Sequence, residues 1–468
     1  ALTVLTLLIS CAACGPGTAP QTVAPPPTVD ALFDDVERRT FDYFWKLTDA
    51  DRGLVLDRYP TPSFSSIAAI GFGLTAYGIG VERGYITRAQ ARARVLATLR
   101  FLSTAPQGPE ATGNAGYHGF FYHFLEVSSG TRYRDSELST VDTSLMMMGV
   151  LFVQSYFDGA DAEETEIRTL AENLYEAIDW AWASPHAPGI SMGWRPEQGF
   201  LDNDWLGYNE AMFLYVLALG SDSQTVDAGA WSVWTSTYDQ TWGTLEGQEH
   251  LTFGPLFGHQ YTAVWIDLRG LRDAYMRGRN LDYFENSRRA VYSQRAYATR
   301  NPLGWKGYGS DVWGLTACDG PTDANLPYNG QTRTFHTYAA RGVNLDPSIN
   351  FDDGTLAPTA VIGSLPFAPE IVIPAIRALR DRYGTEIYGE YGFFDAFNPS
   401  FDFDAPLSMG RRVPGFGWID TDYLGIDQGP ILAMIENHRT GFVWSVMKRN
   451  PHIRRGLERA GFTGGWLQ

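Results

Sequence analysis

The run Thr143–Val153, TSLMMMGVLFV, followed after a short break by Glu163–Trp182, EETEIRTLAENLYEAIDWAW, decides the fold. In the first run apolar residues occupy every face a helix would present, as they must where both sides are covered. In the second, Ile167, Leu170, Ala171, Leu174, Ala177, Ile178 and Ala181 recur at spacings of three and four, while Glu163, Glu164, Arg168, Glu172, Glu176 and Asp179 fill the other side. A wholly covered helix beside a half-wet one is an inner–outer pair. The pattern repeats along the chain. Ile67–Val81 and Ala211–Leu219 are apolar all round, and Tyr261–Met276, Pro366–Tyr383 and a last helix starting near Gln428 complete an inner set of about six. Thr87–Leu102, with Thr87 as N-cap and Arg88, Arg92, Arg94 and Arg100 outward, is another outer helix. With no run of alternating strands, the expected class is all-α, an (α/α)6 barrel: a toroid of six helical hairpins.

The whole sequence has 468 residues, of which 44% are hydrophobic, 14% aromatic and 19% charged, so a large core can form and disorder is confined to the first 30 or so positions. A formal charge of −17, with Lys only at 46, 306 and 448, excludes a nucleic-acid surface, which needs clustered cations. Leu2–Ile9 is too short to span a bilayer and reads as a secretory segment. Leu8-Ile9-Ser10-Cys11 resembles a lipobox with Cys11 as the lipidated residue, and Gly15–Val29 has the composition of an extended tether. Residues 1–30 are therefore expected to be a signal and tether, and 31–468 a single catalytic barrel. The chain should be exported, with no membrane contact beyond a lipid anchor. Beyond Cys11 and Cys14 only Cys318 remains, which rules out a disulfide framework or a cysteine zinc site in the folded part.

Polar residues fall at the starts of the apolar helices: Ser65 and Ser66, Glu137 with Asp142, Asp202, Asp204 and Glu210, His259 and Gln260, Glu370, and Asp422 with Asp427. Taken singly each is an ordinary N-cap or a satisfied core carboxylate. In a toroid whose inner helices share one direction, however, these starts converge on one rim and line it with carboxylates. The long loops 106–119, 183–206, 304–359 and 388–419 carry aromatic residues beside them: Tyr117, Phe120, Tyr122, Trp194, Trp205, Tyr208, Trp305, Tyr308, Trp313, Phe416 and Trp418, with His118, His123 and Asn209 nearby. Aromatic faces with carboxylates and amides suit a sugar, whose C–H faces stack while its hydroxyls hydrogen-bond.

Glycoside hydrolysis needs one protonated carboxyl and one carboxylate. Glu210 directly precedes an entirely apolar helix, where desolvation should keep it protonated as the general acid. Asp427 sits at a helix start whose dipole should favour the anion, as a base requires; Asp142, Asp422 and Glu137 are its rivals. There is no phosphate loop, no His-Glu-x-x-His and no Gly-x-Ser-x-Gly elbow, and Asp49–Gly53 reads as a turn rather than a calcium loop. Neither a cofactor nor a metal is expected.

Phe41-Asp42-Tyr43-Phe44-Trp45, Gly119–Phe124, Glu137–Thr143, Tyr208-Asn209-Glu210 and Ile426-Asp427-Gln428-Gly429-Pro430 together resemble the bacterial glycoamylase-like domain, the β-1,2-glucanase-like group of glycoside hydrolase family 144, from about Ala31 to Trp466. The resemblance implies an (α/α)6 barrel, inverting hydrolysis of the β-1,2-glucan found in the periplasm of Gram-negative bacteria, Glu210 as acid, and an Asp of the last inner helix start as base. It also suggests a periplasmic or outer-membrane lipoprotein, acting as a monomer on a β-glucan. Two other readings stand beside it: a polysaccharide lyase built on Tyr208, His259 and Arg341, and a non-catalytic glucan-binding lipoprotein. Endo versus exo action is left open.

Overall fold

Thr28, Ser66, Thr87, Ser139 and Asp161 each turn a side-chain oxygen onto a free N–H of the following helix, and these caps set where the helices begin. The computed structural model describes residues 28–468, so the Cys11 tetrad and all but the end of the tether lie outside the described residues. Outer α1 (Val29–Leu47) leads to inner α2 (Ile67–Glu82), outer α3 (Arg88–Thr104) to inner α4 (Thr140–Tyr156), and outer α5 (Ala162–Glu176) to inner α6 (Met212–Gly220). The short helices α7 (Ala230–Trp234) and α8 (Tyr238–Thr241) precede inner α9 (Phe257–Trp265). After α10 (Ala274–Arg279), outer α11 (Tyr283–Arg300) precedes inner α12 (Pro358–Ile362), and outer α13 (Pro369–Ile387) precedes inner α14 (Gly425–Arg439). Helices α15 (Phe442–Met447) and α16 (Pro451–Arg459) close the chain against α4, α6, α9 and α14.

The inner helices form a closed ring. Neighbours pack in the order α2, α4, α6, α9; Gln260 of α9 donates to the Ala360 carbonyl of α12, Thr359 of α12 donates to the Asp427 carbonyl of α14, and Gly429 of α14 lies against Phe72 of α2. Every residue of α6 and every residue of α2 from Ile67 to Gly80 is buried, as the apolar-all-round reading requires. The α2–α4 crossing is closest: a Cβ on Gly149 would stand 2.1 Å from the Gly71 carbonyl oxygen, and one on Gly71 would stand 2.2 Å from that of Leu145.

Four expectations need correction. Tyr261–Met276 is not one helix: α9 ends at Trp265, where Asp267 turns its carboxylate to Arg269 and Lys448 and Gly270 takes a positive φ. Pro366–Tyr383 is not inner. Helix α13 buries Ile371, Val372, Ala375, Ile376 and Leu379 but exposes Asp381, Arg382 and Thr385, while its inner partner is the five-residue α12, too short to show a period. Helix α5 stops at Glu176, because the Asp179 N–H donates to the His118 carbonyl and the Asp179 side chain accepts from Trp182 N–H. Finally, the rim loops are not strand-free; they hold short ribbons, among them Leu138–Ser139 with Gly193–Arg195 and Gly199–Phe200, and Ala317–Asp319 with Tyr338–Ala340. Thr87 does cap α3, in a reciprocal box with Gln90, although of the four arginines only Arg100 is fully exposed. Asp49–Gly53 is a turn, with Asp49 accepting from Asp51 N–H and Arg52.

Gly149→Val should cost at least about 2 kcal/mol, since a side chain there must push two covered helices apart. Urea unfolding checks this, and an unchanged midpoint would contradict glycine-mediated closure of the ring.

Candidate active site

The N-terminal ends of α4, α6, α9 and α14 meet at one rim, around a cavity of about 370 Å³. Glu137, Asp142, Glu210, Asp395 and Asp427 line it together with His123, Trp205, Phe257, Tyr261 and Tyr338. Each wall has a local cause. Ser139 caps α4 by accepting from Asp142 N–H at 3.1 Å and donates its own hydroxyl to Asp142 Oδ2 at 2.6 Å, which fixes that carboxylate in the first turn. The Trp205 indole donates to Thr140 Oγ1 at 3.0 Å and so is pinned to the same turn. His123 bridges the two acids of this wall, with Nδ1 2.8 Å from Glu137 Oε1 and Nε2 3.4 Å from Asp142 Oδ2. Burial alone would lower the imidazole pKa, but the two carboxylates outweigh it and raise it to about 9. Glu137, likewise opposed by burial, is pulled down to about 2 by the His123 hydrogen bond and charge, with help from Arg195.

Glu210 has no such counter-charge. Burial at the foot of α6, opposed by a backbone hydrogen bond and helped by the nearby Asp142 charge, raises its carboxyl to about 7. On the α14 side the logic differs from the helix-dipole expectation. Burial pushes Asp427 up, the hydrogen bond from Asp395 pulls it down, and the charges of Asp319, Asp420 and Asp57 push it up again. Asp395 is raised well above the carboxylate range, first by burial and then by Asp427 and Asp319. The net effect raises Asp427 to about 7 and Asp395 higher still, so the pair shares a proton with Asp395 its main holder; Asp395 Oδ1 and Asp427 Oδ2 are both buried with no other protein hydrogen bond. Arg58, 3.1 Å from Asp57 and 2.7 Å from Asp319, is the guanidinium that offsets this cluster. Burial raises the Tyr261 phenol well above its usual range, and the charges of Asp427, Glu210 and Asp142, which line the same cavity, add to that.

Of the residues singled out in the sequence, His123, Glu137, Asp142, Trp205, Glu210 and Asp427 line this cavity; the others do not. Asp422 accepts from Thr61 N–H at 2.9 Å, away from the lining. Glu370 lies on an outer helix with Arg288 and Tyr292. His118 pairs with Asp179 and stacks on Trp182, while Trp194 packs on Trp182 and Tyr117. Phe120 is buried against Trp180, and Tyr122 is buried under the Arg132 guanidinium. The Tyr208 hydroxyl donates to His259 Nδ1, whose Nε2 donates to the Phe253 carbonyl. Asn209 caps the turn into α6 by accepting from Ala211 N–H, Gln260 ties α9 to α12, and Trp313 and Trp418 are fully buried. These residues failed as site candidates because sequence proximity to a helix start does not set side-chain direction. The lyase set fails for the same reason: Arg341 is wholly buried, held by Asp353 at 2.7 and 2.9 Å.

Asp319, Asp395, Asp420, Tyr261 and Tyr338 are the residues that sequence reasoning missed. A lone acid among aromatics, as in Phe393-Phe394-Asp395-Ala396-Phe397, was the available signal. Asp319, Asp395 and Asp420 bring one oxygen each within 4.8 Å of one another, as do Glu172, Glu176 and His452 on the outer wall. In the first group Arg58 already engages Asp319; in the second Ser221, Ser223 and the Asp222 N–H saturate Glu176.

A family model described as "Putative glucoamylase" matches residues 202–451. An exo β-1,2-glucooligosaccharide sophorohydrolase (non-reducing end) of Parabacteroides distasonis is 28% identical over 466 aligned positions, covering 93% of this chain; the chain spans 58% of that relative's length. An endo-β-1,2-glucanase of Chitinophaga pinensis, solved with sophorotriose and glucose, is 28% identical and superposes with a TM-score of 0.79 over 94% of this chain and 100% of that one. A solved structure of the same description as the family model, from Bacteroides caccae, is 31% identical with a TM-score of 0.78 over 94% and 100% of the two chains.

The His123 ring should titrate near 9, and Glu137→Gln should lower that midpoint, because a hydrogen-bonded anion is lost while burial remains. NMR titration of the ring protons reads it; an unmoved midpoint would contradict the bridge.

Proposed function

The chain belongs to the Glycoamylase family, and from that premise we propose that its rim cavity hydrolyses a β-1,2-linked glucan to sophorose or short oligosaccharides. The observation that carries this reading is the convergence on one cavity of two carboxyls that burial raises to about 7, Glu210 on one wall and Asp427, which shares a proton with Asp395, on the other. Glu210 gives its proton to the glycosidic oxygen as the bond to C1 breaks. Water attacks C1 from the opposite face and passes a proton to the Asp427 carboxylate, which lines the cavity. Burial, with the Asp142 charge adding to it, raises Glu210, and His123 holds Asp142 and Glu137 in place beside it. Trp205, Phe257, Tyr261 and Tyr338 supply apolar faces for the sugar rings. Asp427 is preferred to Asp422 as the base because it lines the cavity, whereas Asp422 is spent on the Thr61 amide. The linkage rests on the two β-1,2-glucan-active relatives.

Incubating the protein with linear β-1,2-glucan beside β-1,3-glucan, β-1,4-glucan and starch should release sophorose or longer β-1,2-oligosaccharides from the first alone. Glu210→Gln should lower turnover by about a thousandfold or more while substrate still binds. Because Glu210 acts in its protonated form, kcat/KM should fall as pH rises through about 7. Silence on all four glycans sinks the linkage and favours a binding protein; an active Glu210→Gln enzyme sinks the assignment of Glu210 as the acid.

A further inference from the structure

Five aromatic rings that do not reach the cavity gather on the outer slope of the same rim. The ribbon beside the cavity has the strand Gly193–Arg195 at its centre, paired with Leu138–Ser139 on one side and Gly199–Phe200 on the other. Its inner side supplies Glu137, Ser139, Met192 and Leu201 to the cavity lining. Further out, Trp194 stands opposite Phe200 in the register, and Trp182 touches both, with ring centroids 5.8 and 4.8 Å away. Tyr117 closes against Trp194 at 5.3 Å, and His118 stacks on Trp182 at 4.4 Å and 12°.

None of these rings is buried, although Phe120 and Trp180 immediately beneath them are. They are half-buried: Tyr117, Trp182 and Trp194 pack against the core and still leave part of their ring area to water. The backbone is also held out of its easy range: His118 takes φ +52°, a left-handed conformation unfavourable for a residue with a Cβ. Asp179 enforces it, with its N–H on the His118 carbonyl at 3.0 Å and its carboxylate 3.1 Å from the ring. Arg195, 3.6 Å from Glu137, sits between the platform and the cavity wall and offers donors for hydroxyls.

We propose that this aromatic shelf is an outer glucan-binding platform, on which the part of a β-glucan chain that emerges from the cavity is stacked. The proposal rests on the reading of the cavity as a glucan hydrolase site and adds to it a dependence on chain length. Ring faces suit the C–H faces of successive glucosyl units, and continuity through one short ribbon selects the substrate chain itself as the occupant.

The test compares the wild type with Trp182→Ala and Phe200→Ser on long linear β-1,2-glucan and on the shortest β-1,2-oligosaccharide that is cleaved. For the polymer KM should rise about tenfold with kcat unchanged, and for the short substrate neither should move. A thermal melt identifies any variant that is simply unfolded, and Trp182→Phe should restore the polymer KM. Equal losses on long and short substrates, or no loss on the polymer, overturn the platform. Should the wild type cleave neither substrate, the hydrolase reading fails separately, and electrophoresis through gels containing β-1,2-glucan still decides the shelf. Retardation of the wild type that is lost in Trp182→Ala supports it; retardation equal in both, or absent from both, overturns it.

Discussion

Six inner helices covered on every side leave little room for charge along their middles. A side chain along α2 or α6 meets another helix whichever way it points, so an ionised group there would be desolvated without a partner, at a cost of several kcal/mol. Charge is tolerated where a partner can reach it: at helix starts, with free N–H groups and loops beside them, or in ion pairs such as Arg83 with Glu436 at the far end of α14. The ring is drawn tight by glycines at its closest crossing, and the helix starts that face the rim come together over one cavity. The acidic cavity follows from the burial of the barrel wall.

The electrostatics of that cavity are divided. On the α4 wall, His123 takes a proton and lets Glu137 and Asp142 coexist beside it. On the α14 wall the acids outnumber Arg58, the guanidinium that faces them, and one proton is retained between Asp395 and Asp427. Glu210 stands between the two with neither a histidine nor an arginine to hold its anion. Glu137 is thus held well below the usual carboxylate range while Glu210 and the Asp395–Asp427 pair are raised into the neutral range or above it, where protons can be exchanged with a substrate.

The barrel was legible in the sequence because periodicity reports coverage: TSLMMMGVLFV could only be an inner helix, and α4 proved covered on all sides. Helix α12 was invisible, since five residues carry no period, and α13 was mistaken for it because its apolar face is wide. Glu210, Asp142 and Asp427 were legible because a carboxyl at the foot of an apolar helix has one place to go. Asp395 was not: it arrives on a loop ribbon, and its approach to Asp427 is a contact between residues 32 positions apart that no local pattern encodes. Trp313, Trp418 and Phe120 show the reverse error. An aromatic in a long loop reads as a ligand contact, yet each packs the loop onto the barrel.

A crystal structure of Glu210→Gln bound to a β-1,2-linked oligosaccharide would test the account most directly. The sugar should cross the cavity with a glycosidic oxygen at the residue 210 side chain, a water between C1 and Asp427 Oδ2, and rings against Trp205 or Tyr338. An oligosaccharide bound elsewhere, with Asp427 and residue 210 untouched, would contradict the claim that the buried helix starts make the catalytic centre.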